Sequence, residues 1–277
     1  MNGQIKKAGK KIFSIIGATQ LMNELDFRFH QIRHSKNNRI FKKKLKRFVF
    51  PKDRALFNTF QLNYKKYYED GRLAANEMIS WGALTKLTNP VVLDWGCGTG
   101  RVIRHIQSFK PSAVCYGADI DCETLDWCRK NIDHVYFDCI HHQSLPYPSS
   151  YFDLVYGISV LTHIEKNEYL AWLKELNRIL TSSGKAILST HGTHYVNQLT
   201  RKEKKQLDLE GVFTNSYNER GHRLMTTYFD ADFLKEQLLP YFDIEEFWEG
   251  KLHPEKMGGQ DVWVLKKKIP ATNGNRD

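Results

Sequence analysis

The stretch VVLDWGCGTGR, from Val91 to Arg101, decides the fold of this 277-residue chain. It leads from an apolar strand to the start of a helix through Gly96, Gly98 and Gly100. Glycine lets a backbone turn sharply and approach a ligand closely, and a helix N-terminus offers unpaired N–H donors. The stretch therefore predicts a ligand-binding loop at the carboxyl end of a β-strand.

The spacing of this loop distinguishes between two classes of ligand. Loops that bind a dinucleotide have the spacing G-x-G-x-x-G and hold a pyrophosphate. Here the spacing is G-x-G-x-G, and the preceding Asp94 would repel a pyrophosphate but suits an α-amino group. Asp119 ends the next predicted strand, where an acidic residue binds ribose hydroxyls in this class of fold, and Ile120 can pack on the base. The alternative for Asp119 is a plain helix N-cap.

Strands and helices alternate after the loop. The predicted strands are Val91–Trp95, Val114–Gly117, Val135–Phe137, Phe152–Tyr156 and Lys185–Thr190. The predicted helices between them are Arg101–Phe109, Glu123–Asn131 and Asn167–Thr181. This alternation indicates a parallel sheet in a doubly wound α/β fold.

Residues 191–242 interrupt the alternation and are predicted to be an insert on the acceptor side of the sheet. They contain a predicted helix near 200–208, a hairpin around Asn218–Gly221 and a helix Asp230–Leu239. The predicted strands Asp243–Trp248 and Asp261–Lys266 follow. We therefore predict one domain over residues 55–267 and a tail over 268–277.

Residues 1–54 have 15 basic and three acidic side chains, a net charge of +12, whereas the rest of the chain has a net charge of −2. An apolar helical face is predicted from Ile5, Ala8, Ile12, Ile15 and Ile16, opposite Lys6, Lys7, Lys10 and Lys11. The KKKLKR run (Lys42 to Arg47) and six phenylalanines complete this segment. It predicts a basic amphipathic arm that binds an anionic membrane surface, or alternatively nucleic acid; a solvated, poorly ordered arm is the third interpretation. No apolar stretch is long enough for a transmembrane helix.

The five cysteines predict neither a disulfide framework nor a zinc site, because their number is odd and no C-x-x-C pair occurs. A reducing, cytoplasmic compartment is the simpler expectation. His141 and His142 resemble a metal-binding pair, but no acidic or cysteine partner stands at ligand spacing in the sequence. We therefore predict no metal site.

Four segments in order resemble the class I methyltransferases that use S-adenosylmethionine (SAM): LDWGCGTG, YGADID, LPYPSSYFDLVYGISVLTHI and LNRILTSSGKAILSTHG. The resemblance extends over about residues 60–267. The look-alikes often accompany glycan-assembly enzymes. The resemblance implies a Rossmann-like sheet of seven strands in the order 3-2-1-4-5-7-6, with strand 7 antiparallel.

The resemblance also implies roles for residues at the carboxyl edge of the sheet. The methionine part of SAM would be held by Asp94, Gly96, Cys97, Gly98 and Gly100. Asp119 would bind the ribose, and Gly157 and Ser159 would line the methyl-donor end. The adenine amino group would be held by Asp138, with His141 as the other candidate.

Two histidines follow predicted strands at this same edge, where a base would be useful. His163 lies in SVLTHI and His191 lies in STHG. Imidazole titrates near neutrality, so either can accept a proton from an acceptor hydroxyl; the alternative is that they only shape the pocket. Gln260 and Asp261 open the last strand and either face the acceptor or cap a turn. Tyr64, Tyr67 and Tyr68 either cover SAM or belong to the core.

The predicted function is methyl transfer from SAM to a hydroxyl of a sugar or lipid-linked glycan at the inner face of a membrane. Enzymes that methylate base amino groups often carry a D/N-P-P-Y/F segment where this chain has GISV (157–160). An oxygen acceptor is therefore favoured by elimination. The alternatives are an RNA methyltransferase whose arm binds phosphates and a non-catalytic scaffold that keeps the SAM fold.

Overall fold

A computed structural model describes residues 2–141, 144–216 and 225–269, with side-chain packing from residue 21 onward. The helices are α1 (Asn2–Lys44), α2 (Asp53–Thr59), α3 (Tyr64–Trp81), α4 (Ile103–Phe109), α5 (Cys122–Asn131), α6 (Tyr169–Ile179), α7 (Thr193–Val196), α8 (Arg201–Glu210) and α9 (Ala231–Leu238). The strands are β1 (Val91–Trp95), β2 (Val114–Asp119), β3 (Val135–Cys139), β4 (Phe152–Gly157), β5 (Leu180–Thr190), β6 (Val212–Ser216), β7 (Met225–Phe229), β8 (Phe242–Trp248) and β9 (Asp261–Lys267). Short 3₁₀ turns occupy Leu84–Lys86, Leu161–His163 and Met257–Gly259.

Seven strands form one sheet in the order β3-β2-β1-β4-β5-β9-β8. β1 to β5 pair in parallel, and β9 runs antiparallel to both β5 and β8. This confirms the predicted order 3-2-1-4-5-7-6 with an antiparallel seventh strand, since β8 and β9 are the sixth and seventh strands of that sheet. The parallel strands deliver their carboxyl ends to one edge, where ligands bind in this class of fold.

Both faces of the sheet are covered by apolar side chains. Trp95, Phe152 and Trp263 belong to the cluster on one face, which is packed against α6 and α9. Tyr156 and Ile106 belong to the cluster on the other face, which is packed against α3, α4 and α5. Strands that are buried on both faces have continuous apolar sequences, which is why the sequence analysis identified VVLDW and FDLVYG as strands. The two clusters hold the carboxyl edge of the sheet rigidly.

The predicted insert contains the hairpin β6–β7, paired antiparallel from Val212↔Phe229 to Ser216↔Met225. The predicted turn at Asn218–Gly221 lies outside the described residues. The hairpin rests against the turn that follows β4, because the Thr227 hydroxyl donates to the Ile164 carbonyl oxygen at 2.6 Å. The hairpin thus lies beside the carboxyl edge of β4.

The second half of α1 packs on the domain instead of projecting from it. Phe27 and Phe50 are buried in one cluster with Leu56, Phe57 and Tyr67 from α2 and α3. The boundary predicted between residues 54 and 55 lies inside this cluster. Phenylalanines that suggested contact with lipid therefore contribute to the core: Phe27 lies on the face of α1 that α2 and α3 cover, and Phe50 lies in the segment between α1 and α2.

The opposite face of α1 is exposed and changes character along the helix. Between residues 21 and 32 this face carries Leu21, Leu25, Phe29 and Ile32, which are between 58% and 76% exposed. Between residues 36 and 43 the same face carries the exposed side chains of Lys36, Arg39 and Lys43. The side chains of the face predicted over Ile5–Ile16 lie outside the description. Within the described residues, no helix combines the length and apolar character needed to cross a membrane.

Candidate functional site

The glycine loop forms a tight turn between β1 and α4. Gly96, Gly98 and Gly100 have φ values of +73°, +51° and +67°, which favour glycine strongly. A Cβ on Gly96 would lie 2.4 Å from Val160 Cγ2, and one on Gly98 would lie 2.9 Å from Thr59 Cγ2. The missing side chains leave a cradle of bare backbone at the carboxyl edge of the sheet.

The amide groups of this loop are used within the protein. The N–H groups of Gly96 and Cys97 both donate to the Ala118 carbonyl oxygen, at 2.7 and 3.1 Å. The N–H of Gly98 donates to Asp119 Oδ2 at 2.7 Å. A loop that binds pyrophosphate must direct such amides at the ligand. The geometry therefore excludes a pyrophosphate cradle at these three amides and suits a ligand held by carboxylates.

Asp94, at position four of β1, is the first of these carboxylates. It is buried, and burial raises the pKa of Asp94 to about 7. An ammonium group beside a buried carboxyl favours the ionised form. Asp94 therefore fits the α-amino group of an amino-acid ligand, which would replace the lost hydration with a charge-assisted hydrogen bond.

Asp119, at the end of β2, is the second carboxylate. Its Oδ2 accepts from Gly98 N, and its Oδ1 accepts from Asp121 N at 3.0 Å. Each carboxylate oxygen retains a further lone pair that can accept from a ribose hydroxyl. Ile120 follows with its side chain half exposed, as a base-stacking residue requires. The N-cap of α5 is Asp121, which accepts from Thr124 N, so the plain N-cap interpretation does not apply to Asp119.

Asp138 and Cys97 lie near the cofactor cradle with their side chains engaged elsewhere. Asp138 accepts a hydrogen bond from the Tyr147 hydroxyl at 2.9 Å, one residue before the end of β3. His141 lies beyond that strand end and is exposed. The Cys97 side chain is buried, so this residue presents only its backbone to the cradle.

Gly157 ends β4 and Ser159 follows it, at the expected methyl-donor end. A Cβ on Gly157 would lie 2.6 Å from Trp95 Cε3, so the strand can end there only with glycine. Ser159 has a φ of +62° and is held by a closed network. Its N–H donates to Ser189 Oγ, Ser189 Oγ donates to Gln260 Oε1, and Gln260 Nε2 donates to Ser159 Oγ, at 2.8, 2.6 and 2.6 Å.

Ser189 was missed in the sequence analysis, although a signal for it exists. Ser189 and His191 are two residues apart at the end of β5, and alternate strand residues share a face. The network also gives Gln260 a role in holding the Ser159 turn. Asp261 is buried and accepts from Gly250 N at 2.8 Å, which is the turn-capping alternative.

The structure brings His163 and His191 together at the carboxyl edge. The Nδ1 of His163 lies 2.8 Å from the Met225 carbonyl oxygen, so it carries the proton and donates. His191 stacks on Tyr195 with ring centroids 4.2 Å apart. Burial, with His163 nearby, lowers the pKa of His191 to about 4, so this ring is neutral at neutral pH. Its Nδ1 is buried and has no hydrogen-bond partner among the described residues.

Helices α2 and α3, which precede β1, contact the glycine loop at Thr99. The Tyr67 hydroxyl donates to the Thr99 carbonyl oxygen at 3.0 Å, and Thr59 contacts the Thr99 hydroxyl. Tyr67 is completely buried, Tyr64 donates to Asp53 and Tyr68 packs on His105. Tyr67 therefore belongs to the core, and the partly exposed Tyr64 and Tyr68 pack beside it, which favours the second of the two interpretations that their spacing allowed.

The cysteine prediction is wrong for one pair. Cys122 and Cys139 form a disulfide with their Cα atoms 5.3 Å apart, whereas Cys97, Cys115 and Cys128 are free and buried. The sequence spacing hid this pair because β2 and β3 run in parallel and align Asp119 with Cys139. The same strand pairing gives His141 cysteine neighbours that the sequence spacing did not show. The ligand atoms of Cys122, Cys139 and His141 lie within 4.8 Å of one another, so this group could hold a metal ion if the disulfide were reduced.

Comparison with known proteins agrees with this geometry. The family model described as "Methyltransferase domain" matches residues 92–184. The PH0226 protein of Pyrococcus horikoshii OT3 shares 18% identity and a TM-score of 0.53, over 73% of this chain and 96% of that chain. A SAM-dependent methyltransferase of Methanosarcina mazei shares 21% identity and a TM-score of 0.50, over 66% and 94%.

A further similar structure is a putative SAM-dependent methyltransferase of Listeria monocytogenes. It shares 16% identity and a TM-score of 0.51, over 73% of this chain and all of that chain. The matched residues 92–184 contain the glycine loop, Asp119 and the β4 turn. Residues 92–184 therefore match a methyltransferase domain, and the chain has the fold of the SAM-dependent methyltransferases to which it is similar.

Proposed function

We propose that the protein transfers the methyl group of SAM to a hydroxyl of a sugar or lipid-linked glycan. The observation that carries the proposal is the pair His163 and His191 at the carboxyl edge of the sheet, where the methyl-donor end of SAM is expected, with His163 Nδ1 directed at the Met225 carbonyl oxygen. Because that contact uses the Nδ1–H group, Nε2 is the ring nitrogen of His163 that carries the lone pair. A neutral imidazole base is what a hydroxyl acceptor requires.

SAM supplies an electrophilic methyl group on a sulfonium when it is bound. The protein's part is to orient the acceptor and remove its proton. In this proposal His163 Nε2 accepts the hydroxyl proton while the acceptor oxygen bonds to the methyl carbon, and the carbon–sulfur bond breaks. Alignment of acceptor and donor can supply roughly 7–11 kcal/mol of the barrier, and a general base contributes about 10²- to 10⁴-fold.

The acceptor pocket of this proposal is aromatic and partly polar. His191 stacks on Tyr195 and lies against Tyr228, with ring centroids 5.5 Å apart. Aromatic faces suit the apolar face of a sugar ring, and the unpaired Nδ1 of His191 offers a hydrogen bond to a hydroxyl. His191 would thus position the acceptor, since burial keeps its ring neutral.

The test is transfer from SAM with a labelled methyl group to an extract of the protein's own cells. We expect label in the organic-soluble or polysaccharide fraction. Label confined to RNA would contradict the proposal and assign the basic residues of α1 to phosphates. Label in no fraction, with SAM binding intact, would favour a non-catalytic scaffold. A heat-treated sample of the protein provides the background.

We also propose that α1 places the enzyme on the cytoplasmic face of an anionic membrane. Apolar side chains exposed on one face and followed by basic ones are typical of helices that lie in a membrane interface. Here Leu25 and Phe29 represent the apolar half and Lys36 and Lys43 the basic half. Each basic residue near such a surface contributes about 1 kcal/mol.

The membrane proposal predicts that Leu25→Ser/Phe29→Ser weakens binding to vesicles of phosphatidylglycerol and phosphatidylcholine. Both side chains are exposed, so their replacement should leave the fold unchanged. We expect a loss of affinity of at least about tenfold, because an exposed Leu or Phe gains roughly 1.5–3 kcal/mol on full burial. Co-sedimentation measures the bound fraction.

The matched control is Leu209→Ser/Leu252→Ser, which removes two equally exposed leucines away from α1. This control should sediment like the unchanged protein. Equal sedimentation of the α1 variant would contradict the proposal. Deletion of residues 1–50 is unsuitable, because it would remove Phe27 and Phe50 from the core.

A further inference from the structure

The disulfide joins two segments that leave the sheet next to each other. Cys122 is the first residue of α5, and Cys139 is the last residue of β3. Both side chains are partly exposed, in contrast to the buried Cys97, Cys115 and Cys128. Small redox reagents therefore reach this pair and not the other cysteines.

The two joined segments form the expected binding site for the adenosine part of SAM. Ile140 N donates to the Asp119 carbonyl oxygen at 2.9 Å, and Asp121 N donates to the Asp119 carboxylate. The sulfurs of Cys122 and Cys139 lie 3.8 and 3.9 Å from the Ile120 carbonyl oxygen. The bond therefore closes around the backbone of Ile120, between the residue assigned to ribose and the segment assigned to adenine.

We propose that Cys122 and Cys139 form a reversible disulfide that sets the affinity of the protein for SAM. The proposal rests on SAM as the cofactor and is independent of the acceptor. With the bond closed, Ile120 and Asp121 are held against the end of β3. With the bond open, the covalent link between these segments is lost while hydrogen bonds and apolar packing remain, and SAM must order the Ile120 backbone on binding.

Glutathione disulfide is the oxidant that converts the two thiols of Cys122 and Cys139 into the disulfide. The Cys122 thiolate attacks one sulfur and releases one glutathione thiolate. The Cys139 thiolate then attacks Cys122 Sγ in the mixed disulfide and releases the second. The two protein thiols lose two electrons and two protons, and glutathione disulfide becomes two glutathione molecules. Burial raises the pKa of Cys115 and of Cys128 to about 12, so these thiols do not compete.

The experiment measures SAM binding by titration calorimetry in two glutathione buffers, one reducing and one oxidising. Mass spectrometry determines whether Cys122 and Cys139 are bonded in each buffer. We expect the reduced protein to bind SAM about three- to tenfold more weakly than the oxidised protein, which is the effect of ordering one or two side chains. Cys122→Ser/Cys139→Ser should bind like the reduced protein in both buffers. This variant retains Cys97, Cys115 and Cys128, so it also controls for their oxidation.

Three results would overturn the proposal. The first is equal affinity of the two states when mass spectrometry shows the bond present and absent. The second is a failure of the bond to form in the oxidising buffer. The third is stoichiometric Zn²⁺ binding by the reduced protein that is lost in His141→Ala, with no redox effect on SAM, which would reassign the cluster to a metal. The comparison within the unchanged protein stands even if the double variant does not fold.

Discussion

Asp119→Asn is expected to raise the dissociation constant for SAM by about 10- to 100-fold. The carboxylate of Asp119 accepts from Gly98 N and Asp121 N and is assigned to the ribose hydroxyls. Asparagine has one acceptor oxygen, so its amide group must face an N–H donor or the ligand. A lost hydrogen bond to a charged group contributes roughly 1.5–3 kcal/mol, which corresponds to the expected change. Titration calorimetry with SAM measures it.

Asp121→Asn is the matched control, two residues along the same loop. Asp121 caps α5 by accepting from Thr124 N, and asparagine is an equally good N-cap. We therefore expect nearly unchanged SAM affinity and thermal stability for this variant. If Asp119→Asn bound SAM as tightly as the unchanged protein, or if both variants lost the same affinity, the assignment of Asp119 to the ribose would be wrong.

The sheet and its cofactor edge were predictable because local signals and burial agree there. VVLDW is buried on both faces of the structure and precedes glycines whose φ values are positive. A strand that is buried on both faces requires apolar residues, and a loop with positive φ values favours glycine. Both requirements are visible in the local sequence. The position of Asp119 at the end of β2 was predictable for the same reason, since it depends on one strand–loop–helix unit.

Features that depend on distant contacts were not predictable in this way. The burial of Phe27 and Phe50 depends on the packing of α1 and the segment after it against α2 and α3, and a count of charges in residues 1–54 gives no sign of it. The Cys122–Cys139 bond requires the parallel register of β2 and β3. Neither feature has a short sequence motif, because each is created by packing between elements.

The proposed position of His163 Nε2 provides the sharpest test of the chemistry. In His163→Asn, the side-chain amide reaches where Nδ1 was and can still donate to the Met225 carbonyl oxygen. The variant therefore keeps the contact with the insert and loses the nitrogen that would accept the acceptor's proton. We expect the methyl-transfer rate into the labelled cell fraction to fall by about 10²- to 10⁴-fold. The dissociation constant for SAM should stay within about twofold, because the contacts assigned to SAM lie elsewhere.

The pH profile separates a base from a residue that only shapes the pocket. With imidazole as the base, the rate of the unchanged protein falls on the acid side as the ring is protonated, and this limb disappears in His163→Asn. His191→Phe is the comparison, because phenylalanine can retain the stack on Tyr195. Burial lowers the pKa of His191 to about 4, so this ring is already neutral at pH 6–8 and its loss should leave the shape of the profile unchanged there. An acid limb that persists in His163→Asn, or a full rate in that variant, would remove His163 from the chemistry and leave alignment by the pocket as the main contribution of the protein.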